Sequence, residues 1–259
     1  MIAFGRALMI AALVVFASGT ARADAPGVVS ITVDGVARNV LFVAPRSPPV
    51  AAVVMFPGGD GHIDILPEGQ ILRPGNFLIR TRDKWLARGF LFVAVDAPQG
   101  QAGVRGDRVG PANLRAIAEI VREVRKRTTA PIWLVGTSAG APAAVAGAAS
   151  LPAGAIRGVV ISSPVSQPGS HDSVFDVPLA RISVPVLIQI NRDDACQLTP
   201  PANAARIKAA LTSSHAAEVQ EFSGGDPPRS GPCEAFARHG FLGIDGNVVN
   251  AAADWIVSH

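Results

Sequence analysis

The 259-residue chain predicts an α/β fold, a doubly wound and mostly parallel sheet with an antiparallel hairpin at its N-terminal end. Three observations predict it. Asp34-Gly35 separates two extended runs, short apolar runs then recur along the chain, and stretches with helical spacing lie between them. Hydrophobic residues make up 49% of the chain and charged residues 17%, which suits one large core and excludes a disordered or fibrous protein.

The elements follow in order. Residues 1–23 read as a signal peptide rather than as part of the fold. Arg6 precedes an apolar run from Ala7 to Ala17, and Ala21-Arg22-Ala23 has the small-x-small form that a signal peptidase accepts. The run is short for a bilayer span, so cleavage near Asp24 is preferred over an uncleaved anchor. Loss of Arg6 and Arg22 would leave 21 basic residues against 20 acidic ones. The one basic cluster, Arg122, Arg125, Lys126 and Arg127, ends a helical stretch, where cations favour the negative end of the helix dipole. No basic face interleaved with aromatics offers a footing for nucleic acid.

Residues 28–33 and 36–43 flank Asp34-Gly35, a pair that supplies the positive φ angles of a type I′ hairpin turn. Apolar runs follow at 51–56, 90–95, 132–135, 159–161, 184–190 and 217–222. Strands that are apolar throughout are buried on both faces, as in a parallel sheet covered by helices. Between them, 113–127 spaces Leu114, Ile117, Ile120, Val121 and Val124 at helical intervals. Residues 203–211 and 248–257 also read as helices.

The most informative segment is Gly136-Thr137-Ser138-Ala139-Gly140, between the run 131–135 and a small-residue stretch that can begin a helix. Gly-x-Ser-x-Gly in that setting is a nucleophile elbow, a tight turn that lifts the serine hydroxyl clear of the sheet. Serine is a weak nucleophile, and position is part of its activation.

Together, the hairpin, the doubly wound sheet and the elbow resemble the α/β-hydrolase superfamily, of the small, lid-poor serine esterase type. The resemblance covers nearly all of residues 24–259, read as one domain without an internal repeat. The link 163–181 is short and rich in Pro, Ser and Gly, leaving no room for a large cap. The superfamily order is nucleophile, acid, histidine. It implies Ser138 as nucleophile, then Asp194, preferred over Asp193, in the loop after 184–190. In that loop Asn191 stands where the superfamily usually has glycine. Of five histidines, His239 in Arg238-His239-Gly240-Phe241 falls between the last strand and the last helix, where the resemblance places the base. His62, His171, His215 and His259 lie elsewhere. The oxyanion donors would be the amides of Ala139 and of Gly59, in Pro57-Gly58-Gly59-Asp60-Gly61-His62, with Asp60 close behind. Pro57 stands where related esterases carry histidine.

Two cysteines in an exported chain suggest a disulfide. Cys196 lies beside Asp194 and Cys233 before His239, so a bond between them would tie the acid loop to the histidine loop. Asp96, Arg80 and Arg82 are assigned no chemistry, and Asn76-Phe77 could line the pocket.

The resulting expectation is a secreted or periplasmic serine hydrolase acting on a small acyl substrate, an ester first. Thioester, lactone, small amide and peptide bonds remain open. A metal or organic cofactor is not required, nor stable membrane insertion after signal cleavage. The alternatives are a binding protein that keeps the fold without turnover, or a cysteine hydrolase at Cys233, which no elbow surrounds. The chain has no tyrosine and three tryptophans, which disfavours a polysaccharide substrate.

Overall fold

A computed structural model describes Met1, residues 27–167, Gly169 and residues 172–259. Apart from Met1, the signal segment expected at 1–23 lies outside the described residues, as does His171. The hairpin forms as expected: β1 (Gly27–Val33) pairs antiparallel with β2 (Val36–Val43), and Asp34 and Gly35 take φ of 51° and 77°. Beyond it come β3 (Ala51–Phe56), β4 (Phe90–Val95), β5 (Ile132–Thr137), β6 (Gly158–Ser162), β7 (Val186–Asn191) and β8 (Ala217–Phe222). The eight strands form one sheet in the order β1-β2-β4-β3-β5-β6-β7-β8. The β2–β4 pair is antiparallel and every later pair is parallel.

Each face of the sheet carries its own core. Ala52, Val54 and Phe56 of β3 pack with α3 (Pro111–Arg125), α4 (Ala141–Ser150) and α5 (Ala204–Ala210). Ala51, Val53 and Met55 pack instead with α1 (Phe77–Arg80), α2 (Arg82–Ala87) and α6 (Asp245–Ser258). Strands β3 to β7 are buried along their whole length because helices cover both faces, which is why they read as unbroken apolar runs. Each fully buried Val, Ile or Phe there stabilises the fold by about 1.5–3 kcal/mol.

Strand β8 departs from the expectation that all the runs are buried. It is the sheet's last strand, and Glu218 and Glu221 are exposed on it. Charges on an unpaired edge discourage pairing with another chain. Strand β7 starts at Val186 rather than 184, after Pro185, which accepts a hydrogen bond from the Val159 amide but has none to donate. Helix α3 starts two residues earlier than read, because Pro111 suits the first helical position, and ends at Arg125. Helix α5 is preceded by a 3₁₀ turn at Pro201–Asn203, and α6 is longer than read.

After β3 the chain steps to β4 on one side, then returns to β5 on the other. The carboxyl ends of β3 and β5 therefore form a topological switch point, the crevice where open α/β sheets bind ligands. The Gly58-Gly59 loop leaves β3 there, and Ser138 leaves β5.

Candidate active site

Strand β5 runs directly into a 3₁₀ turn, Ser138–Gly140, and then into α4. Ser138 sits at φ 54°, a left-handed conformation that costs an L-residue on the order of 1–3 kcal/mol. Packing holds it there. A side chain on Gly140 would place its Cβ 2.0 Å from the Phe56 carbonyl oxygen, and one on Gly58 would meet Ser138 Cβ at 2.9 Å. The missing side chains let the elbow and the loop after β3 touch.

The structure brings Asp194 and His239 together. His239 lies in a 3₁₀ turn, Arg238–Gly240, ahead of α6, and its Nδ1 is 2.9 Å from Asp194 Oδ2, with both side chains almost fully buried. An ionised carboxylate only accepts hydrogen bonds, so this contact assigns the proton to Nδ1 and leaves Nε2 free to accept one. Asp194 is held in turn: the Cys196 amide donates to Oδ1 at 2.9 Å, and the buried Thr199 hydroxyl donates to Oδ2 at 2.9 Å. Thr199 Oγ1 also lies 3.2 Å from His239 Nδ1. Asp193, the alternative acid, makes no contact with His239 among the described residues. Its Oδ2 accepts from the Gly224 amide and pairs with Arg238. Asn191 ends β7 fully buried; its side chain accepts from the Asp193 amide and donates to the Gly224 carbonyl, shaping the turn that presents Asp194.

Cys196 and Cys233 are bonded, with Cα atoms 4.6 Å apart, so the Asp194 loop and the His239 loop are joined covalently. Three residues after β6 complete the framework. The Ser163 hydroxyl donates to the His239 carbonyl at 2.8 Å, the Val165 amide to the Ser138 carbonyl at 3.2 Å, and the Ser166 amide to the Leu198 carbonyl at 2.9 Å.

Ser138 and His239 line one cavity of about 330 Å³ with Gly58, Gly59, Asn76, Phe77 and Cys233. Asn76-Phe77 thus reaches the pocket, although the Asn76 side chain caps α1 by accepting from the Leu78 amide. A wider groove of about 760 Å³ lies across Gly75, lined by Gln70, Ile71, Pro74, Ile79 and Phe236. It contains neither Ser138 nor His239. Gly59 lines the same cavity as Ser138, and its amide has no hydrogen-bond partner among the described residues. The Ala139 amide sits in the first turn of the 3₁₀ segment, where helical carbonyls do not reach.

Neighbouring charges have structural work. Asp96 accepts from the amides of Ile63, Asp64, Ile65 and Ala97, so it shapes the loop after β3. His62, Asp64 and Asp96 bring possible metal-ligand atoms within 4.8 Å of one another. Asp96 is nevertheless occupied by those four amides, and Asp64 pairs with Arg73 at 2.7 Å. That donor set does not suit a cation. Arg80 donates to the carbonyls of Gly75, Ala235 and Gly240 and pairs with Asp245, pinning the histidine loop. Burial pulls its guanidinium below the usual value, opposed by Asp245. Arg82 pairs with its neighbour Asp83 on the surface. His215 and His259 lie away from the cavity, on the Ser183 carbonyl and the Trp255 ring.

An eight-stranded, mostly parallel sheet with an N-terminal hairpin, an elbow serine after the fifth strand and no large cap is the α/β-hydrolase fold. Solved structures agree. The chain is similar to Est1E from Butyrivibrio proteoclasticus, with a TM-score of 0.62 and 13% identity over 90% of this chain and 98% of that one. It is similar to the monoacylglycerol lipase of Paleococcus ferrophilus, with a TM-score of 0.60 and 19% identity over 86% and 99%. A soluble variant of monoglyceride lipase from Saccharomyces cerevisiae, in complex with a substrate analog, gives 0.62 and 14% over 93% and 97%. No family model matches the sequence, and no curated protein sequence does.

Proposed function

We propose that residues 24–259 form a serine hydrolase that cleaves a carboxylic ester through an acyl-enzyme intermediate. One observation carries the reading: a left-handed serine on an elbow shares a cavity with a buried histidine whose Nδ1 is 2.9 Å from a buried carboxylate. Ser138 Oγ attacks the carbonyl carbon, and its proton passes to His239 Nε2. Asp194 holds the ring and stabilises the imidazolium. The amides of Gly59 and Ala139 receive the oxyanion, each such donor being worth ~10²–10³ in rate. His239 then protonates the leaving alcohol, and water repeats the sequence on the acyl-enzyme. The esterase and lipase names among the similar structures favour an ester over an amide.

The reading includes export, with a signal cleaved near Asp24. A disulfide suits an oxidising compartment, and among the described residues no helix is long and apolar enough to cross a membrane. A fluorophosphonate probe tests the chemistry. Wild type should label and hydrolyse short p-nitrophenyl esters, and Ser138→Ala should lose labelling and at least about 10³-fold in kcat. A folded wild type that resists the probe would leave a binding protein on this fold.

A further inference from the structure

We infer that Arg108 is a positioning residue of this site, fixing the Gly59 loop and placing a buried positive charge behind the oxyanion. The inference rests on the serine-hydrolase reading.

Arg108 lies in the segment between β4 and α3 and is almost entirely buried. Its Nη1 donates to the Pro57 carbonyl at 3.2 Å and its Nη2 to the Gly59 carbonyl at 2.8 Å. The two carbonyls flank the Gly58–Gly59 peptide, whose N–H belongs to Gly59. A planar fork that grips both sides of that unit sets the direction of the amide between them. The segment is itself braced. The Val104 amide donates to the Asp60 carbonyl at 2.9 Å, the Arg108 carbonyl accepts from Asn113 at 2.7 Å, and the Arg108 amide donates to Asp172 at 3.1 Å.

The charge is placed unusually. Among the described residues no carboxylate touches the guanidinium, whose hydrogen bonds go to carbonyls alone, and its Nε is buried without a partner. Asp172, the strongest attractive charge, grips the Arg108 backbone instead. Burial draws the guanidinium down to about 10, with Asp172 and Asp60 opposing and Arg105 and Arg38 adding repulsion. A desolvated cation without a contacting anion is costly in the resting protein. Negative charge developing on the substrate oxygen beside the Gly59 amide offsets that cost, whereas a neutral ester does not. Stabilisation of that kind enters kcat and leaves ground-state binding alone.

The test compares wild type, R108M and R108K for p-nitrophenyl butyrate kinetics, inhibition by a trifluoromethyl ketone and the thermal midpoint. In folded R108M, kcat should fall about 10- to 100-fold, near or below the loss of one oxyanion donor, with KM within about twofold. The ketone, which forms a tetrahedral oxyanion adduct, should lose affinity by a similar factor. R108K, which keeps the charge without the fork, should lie between. A folded R108M with wild-type kcat, or with lowered kcat and unchanged ketone affinity, overturns the inference. Should R108M fail to fold, R108K decides: at least about a threefold drop in both readouts supports the inference, and wild-type values in both overturn it. A wild type that neither labels with fluorophosphonate nor cleaves the ester removes the underlying reading instead.

Discussion

Consider removing the Cys196–Cys233 cross-link, either by reduction or by the double replacement C196S/C233S. The bonded residues are 37 positions apart, and for a loop of that size the chain-entropy relation gives about 13 cal/mol/K. At 25 °C this is about 3.8 kcal/mol of stability held by constraining the unfolded chain. A folded unit of ~235 residues would unfold with an entropy of about 0.5 kcal/mol/K, so the midpoint should drop by about 8 °C. Geometry adds a second effect. Cys196 donates its amide to Asp194, and Cys233 stands in the wall of the cavity that Ser138 and His239 line. Freeing both loops lets the Asp194–His239 contact drift, and a ~1 Å misplacement can cost ~10²-fold. We expect kcat on p-nitrophenyl butyrate to fall about tenfold at 25 °C, well below the new midpoint. Circular dichroism melts with and without a phosphine reductant, paired with rates on the same samples, measure both. A midpoint within about 1 °C of wild type together with an unchanged kcat would refute the reasoning.

Two further outcomes separate roles that the sequence leaves side by side. Asp194→Asn should lower kcat by about 10³–10⁴-fold by disturbing the histidine tautomer, whereas Asp193→Asn removes a surface ion pair with Arg238, leaves an oxygen able to accept from the Gly224 amide, and should change kcat by less than about threefold. Steady-state rates on the two folded variants check this, and equal losses would contradict the assignment. Gly140→Ala should destabilise by about 3 kcal/mol or more, since its Cβ would fall 2.0 Å from the Phe56 oxygen. Denaturant unfolding measures the change, and a loss below about 1 kcal/mol would mean that the elbow relaxes freely.

What the sequence reveals here follows from how local each signal is. The elbow is a five-residue pattern between a strand and a helix, and β3, β4 and β8 start and stop where their residues change character. Asp194 and His239 are legible from chain order, because the sheet topology brings strand ends together in a fixed sequence. Arg108, Thr199 and Ser163 are not. Arg108 acts through two hydrogen bonds, 51 and 49 residues away, and Thr199 and Ser163 through contacts 40 and 76 residues away, and nothing in their own neighbourhood marks them. Helices α1 and α2 are not legible in the sequence for another reason. They are four and six residues long and break at Thr81, whose hydroxyl turns back to the Phe77 carbonyl, so no helical period develops. The edge character of β8 needed the strand order, since burial on one side depends on which strand comes last.

The residues that follow β6 carry one more implication. Ser163, Val165 and Ser166 hold, within four positions, the His239 loop, the Ser138 turn and the loop that carries Asp194. Three segments far apart in the chain are thereby closed into a ring, with the disulfide as a second closure. Opening any one of them breaks bonds to the others, so the free energy of local opening approaches that of global unfolding. On heating, turnover and secondary structure should vanish in one transition, with no temperature window in which a folded but idle protein accumulates.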